Sequence, residues 1–140
     1  MDDLIKTDQM TIPWAKVLIV DNTKTNLSIA RAKLKPYGTE VFCVTGGREA
    51  IDLIRSETNR FNIIFMDLMM PEIDGMETVR IIREEIGTEY AKTVPIIALT
   101  ANETNEIREN FLSKGFQAYI GKPIDNDQLD AVLREWVKLS

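Results

Sequence analysis

A chain of 140 residues with 44% hydrophobic content is sized for one globular domain, and no apolar run nears the ~20 residues that a membrane-spanning helix needs. Its net charge of −5 comes without any stripe of Lys and Arg, which argues against a nucleic-acid backbone as partner. Histidine is absent and cysteine occurs once, so His-based nucleophile pairs, His metal sites and internal disulfides are excluded. The chemistry left to this chain rests on carboxylates, hydroxyls and lysines.

Residues 1–15 read as a polar, partly acidic tail or linker with Pro13 near its end, and one domain is expected over 16–140. Asp2, Asp3 and Asp8 stand without an apolar stretch, so no secretory signal is expected there, and the lone Cys43, read as a small buried hydrophobe, fits a reducing, cytoplasmic setting. Residues 17–20 are continuously apolar and β-branched, too short for a helix, and predict a buried parallel strand. A helix follows over 25–35, with Leu27, Ala30 and Leu34 on one face and a stop before Pro36. Residues 41–44 give the second strand, and Gly46-Gly47 opens a helix that turns Ala50, Ile51 and Ile54 inward. The third strand is 63–66. Asp74 with Glu77 three positions on forms a capping box for a helix whose stripe is Met76, Val79, Ile82 and Ile86. The fourth strand is expected at 94–99. The helix after it has only a thin stripe, Ile107 and Phe111, and Gly115 ends it. The fifth strand is 116–120, and Asp125 with Gln128 caps a last helix striped by Leu129, Val132, Leu133, Trp136 and Val137.

Five strands alternating with five helices imply a single α/β, doubly wound (βα)5 domain with a parallel sheet and helices on both faces. Such sheets bind ligands beyond the carboxyl ends of their strands. Asp21, Asp67 and Thr100 close the first, third and fourth strands, and Lys122 follows the fifth, so all four are expected on one rim. Two carboxylates ~4 Å apart repel by about 4 kcal/mol at an effective dielectric of 20, and Lys122 supplies a counter-charge. Oxygen ligands without Cys or His favour Mg2+ over zinc for the rest. A carboxylate beside a hard cation, a hydroxyl and an ammonium is equipped to accept a phosphoryl group: Asp67 as nucleophile, Lys122 as point charge, Thr100 as hydrogen-bond donor.

The strings Val17-Leu18-Ile19-Val20-Asp21-Asn22, Met66-Asp67-Leu68-Met69-Met70-Pro71-Glu72-Ile73-Asp74-Gly75, Leu99-Thr100-Ala101 and Gly121-Lys122-Pro123 together resemble the receiver domain of two-component response regulators. The resemblance runs from about Ala15 to Leu139. It implies a flavodoxin-like sheet of order 2-1-3-4-5, with Asp67 phosphorylated from a histidine kinase or a histidine phosphotransfer domain. Mg2+ would be held by Asp21, Asn22, Asp67 and the Met69 carbonyl; Thr100 and Tyr119 would form a switch pair and Lys122 would contact the phosphoryl group. The loop Asn22-Thr23-Lys24-Thr25-Asn26-Leu27 and the lead-in Ile12-Pro13-Trp14-Ala15-Lys16 resemble receivers of hybrid sensor kinases. One departure stands out: the family usually places two adjacent acids after its first strand, and here the second is Asn22, which predicts weaker Mg2+ binding with phosphorylation retained.

Blander readings compete. Asp67 alone would be a loop aspartate, Asp21 a structural partner of Lys122, Thr100 a helix cap, Tyr119 strand packing, and the side chains of Met66, Met69, Met70 and Met76 core filler. A degenerate receiver that only binds protein is the functional alternative. An aspartyl phosphatase is disfavoured because Met69 occupies the position of its general acid. A flavodoxin-like electron carrier is disfavoured because the first loop is no phosphate cradle, and Gly46-Gly47 is too short for a P-loop. The chain is expected as a monomer or weak dimer, without membrane contact.

Overall fold

The computed structural model describes residues 10–101 and 113–137. In chain order these form β1 (Lys16–Val20), α1 (Lys24–Leu34), a 3-10 turn (Lys35–Tyr37), β2 (Glu40–Val44), α2 (Gly47–Ser56) and β3 (Ile63–Asp67). There follow α3 (Gly75–Glu85), a short α4 (Glu89–Thr93), β4 (Ile96–Thr100), β5 (Ala118–Gly121) and α5 (Asn126–Trp136). All five strands pair in parallel in the order β2-β1-β3-β4-β5. The helix expected around Ile107 and Phe111 lies outside the described residues. No described helix is long and apolar enough to cross a membrane.

The unbroken apolar runs follow from burial on both faces. Leu18, Val20, Ile64, Met66, Ile96 and Ala98 face one core, closed by Ala50, Ile51 and Ile54 of α2 and Val79 and Ile82 of α3. Their neighbours Val17, Ile19, Ile63, Phe65, Ile97 and Leu99 face the other, closed by Leu27, Ala30 and Leu34 of α1 and Leu129 and Leu133 of α5. With period two along each strand, every residue of the central strands has a core to enter, and each large apolar side chain so buried contributes about 1.5–3 kcal/mol. Asp74 and Asp125 cap their helices as expected, accepting from Glu77 N at 2.8 Å and Gln128 N at 3.0 Å.

Four expectations shift. The fourth strand starts at Ile96 rather than 94, because Thr88 accepts from Ala91 N at 3.1 Å and nucleates α4 in between. The fifth strand runs from Ala118 to Gly121, with Phe116 buried before it. Packing does not wait for Lys16: Ile12 and Ala15 are fully buried in the α1–α5 core, and Ile12 N donates to the Tyr37 carbonyl at 2.8 Å. Cys43 is only half-buried.

Candidate functional site

Asp21 and Asp67 leave adjacent strands at the same end of the sheet, and each folds back on its own loop. Asp21 Oδ1 accepts from Thr23 N at 2.9 Å and Asp67 Oδ1 from Met69 N at 3.1 Å, two Asx turns of identical spacing. Asn26 Nδ2 reaches Asp21 Oδ1 at 3.5 Å. The two aspartates are exposed by only 1% and 2%, which would be untenable for neighbouring anions without a counter-charge. Lys122 provides it, with Nζ 2.9 Å from Asp67 Oδ1 and 3.2 Å from Asp21 Oδ2. Burial pulls the Lys122 ammonium down, but the hydrogen bonds and charges of Asp67 and Asp21 outweigh that, and its pKa lies above the ordinary lysine value. The lysine side chain keeps 23% of its exposure, so the cluster is open to solvent at one side.

Both hydrogen bonds to Asp67 fall on Oδ1. Its Oδ2 accepts no hydrogen bond among the described residues.

Thr100, also buried, ends β4 in register with Gly121, and Lys122 N donates to the Thr100 carbonyl at 2.8 Å. The threonine therefore shares the rim with Lys122. Tyr119 sits further down β5, half-buried, in register with Ala98 and packed on the α2–α3 core. Asn22 is exposed beside Asp21. Met69 is 82% exposed, so its side chain is not core filler, unlike Met66 at 0% and Met70 at 9%.

The donor set fits a hard cation: two carboxylates, an amide and a main-chain carbonyl, all oxygen. Among the described residues no three acidic, Cys or His side chains converge, so the charge available to a metal is that of two carboxylates.

Sequence reasoning missed how α3 is seated. Gly75 N donates to the Leu68 carbonyl at 3.1 Å, and a Cβ at Gly75 would strike the Asp67 carbonyl oxygen and lie 2.9 Å from Leu68 Cα. The glycine brings the helix start against the backbone of Asp67. In the sequence Asp74 is legible as the cap, but nothing marks the close approach that Gly75 permits.

The sequence profile described as "Response regulator receiver domain" matches residues 17–134. Among curated proteins, the Probable histidine kinase 6 of Oryza sativa subsp. japonica is 36% identical, over 81% of this chain and 13% of its own length. The sensor protein GacS of Pseudomonas syringae pv. syringae is 33% identical, over 89% of this chain and 14% of its own length. The chain thus spans about an eighth of the curated relatives it matches. Among solved structures, the receiver domain of a sensor histidine kinase from Pseudomonas aeruginosa PAO1, with a magnesium ion coordinated in its active-site cleft, superposes with a TM-score of 0.76. It is 33% identical, over 88% of this chain and 97% of that one. A mutant receiver domain of the histidine kinase CKI1 from Arabidopsis thaliana gives a TM-score of 0.73 at 31% identity, over 86% and 88%.

Proposed function

Because this chain belongs to the response regulator receiver domain family, and resembles the receivers of hybrid sensor histidine kinases, we propose that it takes a phosphoryl group from phosphohistidine onto Asp67 and changes conformation to control a partner. The observation that carries this is the Lys122 ammonium held between two buried carboxylates, 2.9 Å from Asp67. In the transfer the phosphorus–nitrogen bond of the donor breaks as the Asp67 Oδ2–phosphorus bond forms, and the imidazole leaves with its electron pair. Oδ1 stays bonded to Met69 N, which fixes the carboxylate for attack.

Lys122 is charged across neutral pH, and it pairs with the phosphoryl oxygens once Asp67 is an acyl phosphate. The Thr100 hydroxyl donates to the same group, and its displacement opens space toward Tyr119, the two-state element through which a local charge event reaches the surface. Mg2+ held by Asp21, Asn22, Asp67 and the Met69 carbonyl would supply neutralisation of the phosphoryl oxygens. The donor is a histidine kinase or a histidine phosphotransfer domain in a cytoplasmic setting, and the chain acts as a phosphoacceptor rather than a turnover enzyme. The acting unit packs Ile12 and Ala15 into its core and works as a monomer or weak dimer.

Incubation with a small phosphodonor and Mg2+, read by intact mass, tests this. The wild type should gain one phosphoryl group and the Asp67→Ala chain none. An unmodified wild type would return the domain to a binding module, and equal labelling of both chains would move the acceptor elsewhere.

A further inference from the structure

The opposite end of the sheet, where the strands begin, holds a cleft of about 530 Å3 that phosphoryl transfer does not use. Trp14 precedes β1 and is 43% exposed; Trp136 ends α5 and Tyr90 lies in α4, and the three rings form its walls. Asn62 precedes β3 and Gln117 precedes β5. Each amide is oriented by the main chain: Asn62 Oδ1 accepts from Lys16 N at 2.8 Å, and Gln117 Oε1 from Ile96 N at 2.7 Å and Arg83 Nη2 at 2.9 Å. Fixing the oxygens fixes the NH2 ends as the donors left along the cleft.

The other polar groups there are committed. The Tyr90 hydroxyl accepts from Phe61 N at 2.6 Å and donates to the Phe61 carbonyl at 3.3 Å, so it offers only a ring. Thr93 Oγ1 donates to the Glu89 carbonyl at 2.8 Å. No lining residue bears a formal charge. Among the described residues two cations touch the walls and both are committed: Arg83 bonds Gln117 Oε1 and the Gly115 and Ala91 carbonyls, and Arg60 stacks 5.4 Å from the Tyr90 ring centre and is paired with Glu57 at 3.0 Å.

Charge and hydrogen-bond complementarity select the occupant. A cleft of ring faces and N–H donors, without charge, suits a ligand of carbonyl acceptors and flat apolar rings. An ordinary peptide would bury main-chain N–H groups here with little to accept them, at a cost of about 1–3 kcal/mol each. Proline carries no N–H, and its chain is already extended in the polyproline II form that aromatic grooves bind. We propose that this cleft binds a proline-rich peptide segment of a partner, stacked on Trp14, Tyr90 and Trp136 and held by donors from Asn62 and Gln117.

The test is a titration of the full 140-residue chain with a capped oligoproline peptide, followed by amide and indole proton NMR. Saturable shifts are expected at the Trp14 and Trp136 indoles and the Asn62 and Gln117 side-chain amides. Trp14→Ala should weaken binding about tenfold, Trp14→Tyr should keep most of it, and both should label with phosphodonor as the wild type does. Three results would overturn the proposal: no saturable shift, equal shifts with an alanine-glycine peptide of the same length, or undiminished affinity in Trp14→Ala. Movement of the same signals on dilution without peptide would also overturn it, assigning the cleft to a second copy of the chain.

Discussion

At the carboxyl ends of β1 and β3 two aspartates are almost wholly buried and share one ammonium, whereas at the amino end of the sheet Asn62 and Gln117 are amides bonded to the main chain of β1 and β4. The first arrangement stores charge: each carboxylate depends on Lys122, and removing that cation strands both. The second holds no pair of like charges: Asn62 and Gln117 answer backbone donors that would otherwise be orphaned, and Gln117 also accepts from Arg83. Reactivity and mere closure of a sheet thus look different before any ligand is considered. A buried group whose partner is a mobile side chain can change partners; one whose partner is a strand N–H cannot.

The largest expected effect breaks the charged end. Lys122→Met leaves two buried carboxylates facing each other and should cost about 2–3 kcal/mol in urea denaturation at neutral pH, below the full value of a closed ion pair because the ammonium keeps solvent contact. The wild type should carry a matching alkaline signature. The folded pKa of Lys122 lies above its unfolded value, so the folded state holds a proton that the unfolded chain gives up. Its contribution is therefore fully present below about pH 10.4 and is lost as the pH rises through the folded value. Lys122→Met should lack that loss.

Asn22→Asp sharpens the same end by restoring a third carboxylate. Mg2+ affinity, followed by calorimetric titration, should rise about tenfold, or ~1.4 kcal/mol, with phosphorylation present in both chains. Equal affinities would remove Asn22 from the metal site. At the neutral end, Tyr90→Phe should cost about 1 kcal/mol, because Phe61 N loses its acceptor. Burial pushes the Tyr90 phenol up to about 12, so the folded protein should show a late phenolate step in ultraviolet titration that the variant lacks.

Most of the charged end was legible because its residues terminate apolar runs. A run of four buried apolar residues followed by Asp is a local pattern, and parallel winding brings several such ends together without any knowledge of loops. The loops themselves were less legible. That Asp21 and Asp67 both close Asx turns is a weaker local signal, an aspartate two residues before the main-chain N–H it accepts from, and only the loop after Asp67 is marked by Pro and Gly. Short α4 left no stripe to find, since five residues make little more than one turn; Thr88 before Glu89 was its only mark. The Trp14–Tyr90–Trp136 cleft could not be seen at all, for its walls come from segments far apart in sequence with no shared pattern. Ile12 was read as tail because Pro13 and the acidic residues before it masked a side chain that the fold buries completely.

Gly75 has a consequence for how this protein tolerates drift. A Cβ there would run into the carbonyl of Asp67, and the atoms in the way are main chain, which no rotamer can clear. Replacement by anything larger, alanine included, must move the loop after Asp67 to make room. A saturation library at that codon would keep one survivor, making the smallest residue in the loop the least negotiable letter in its spelling.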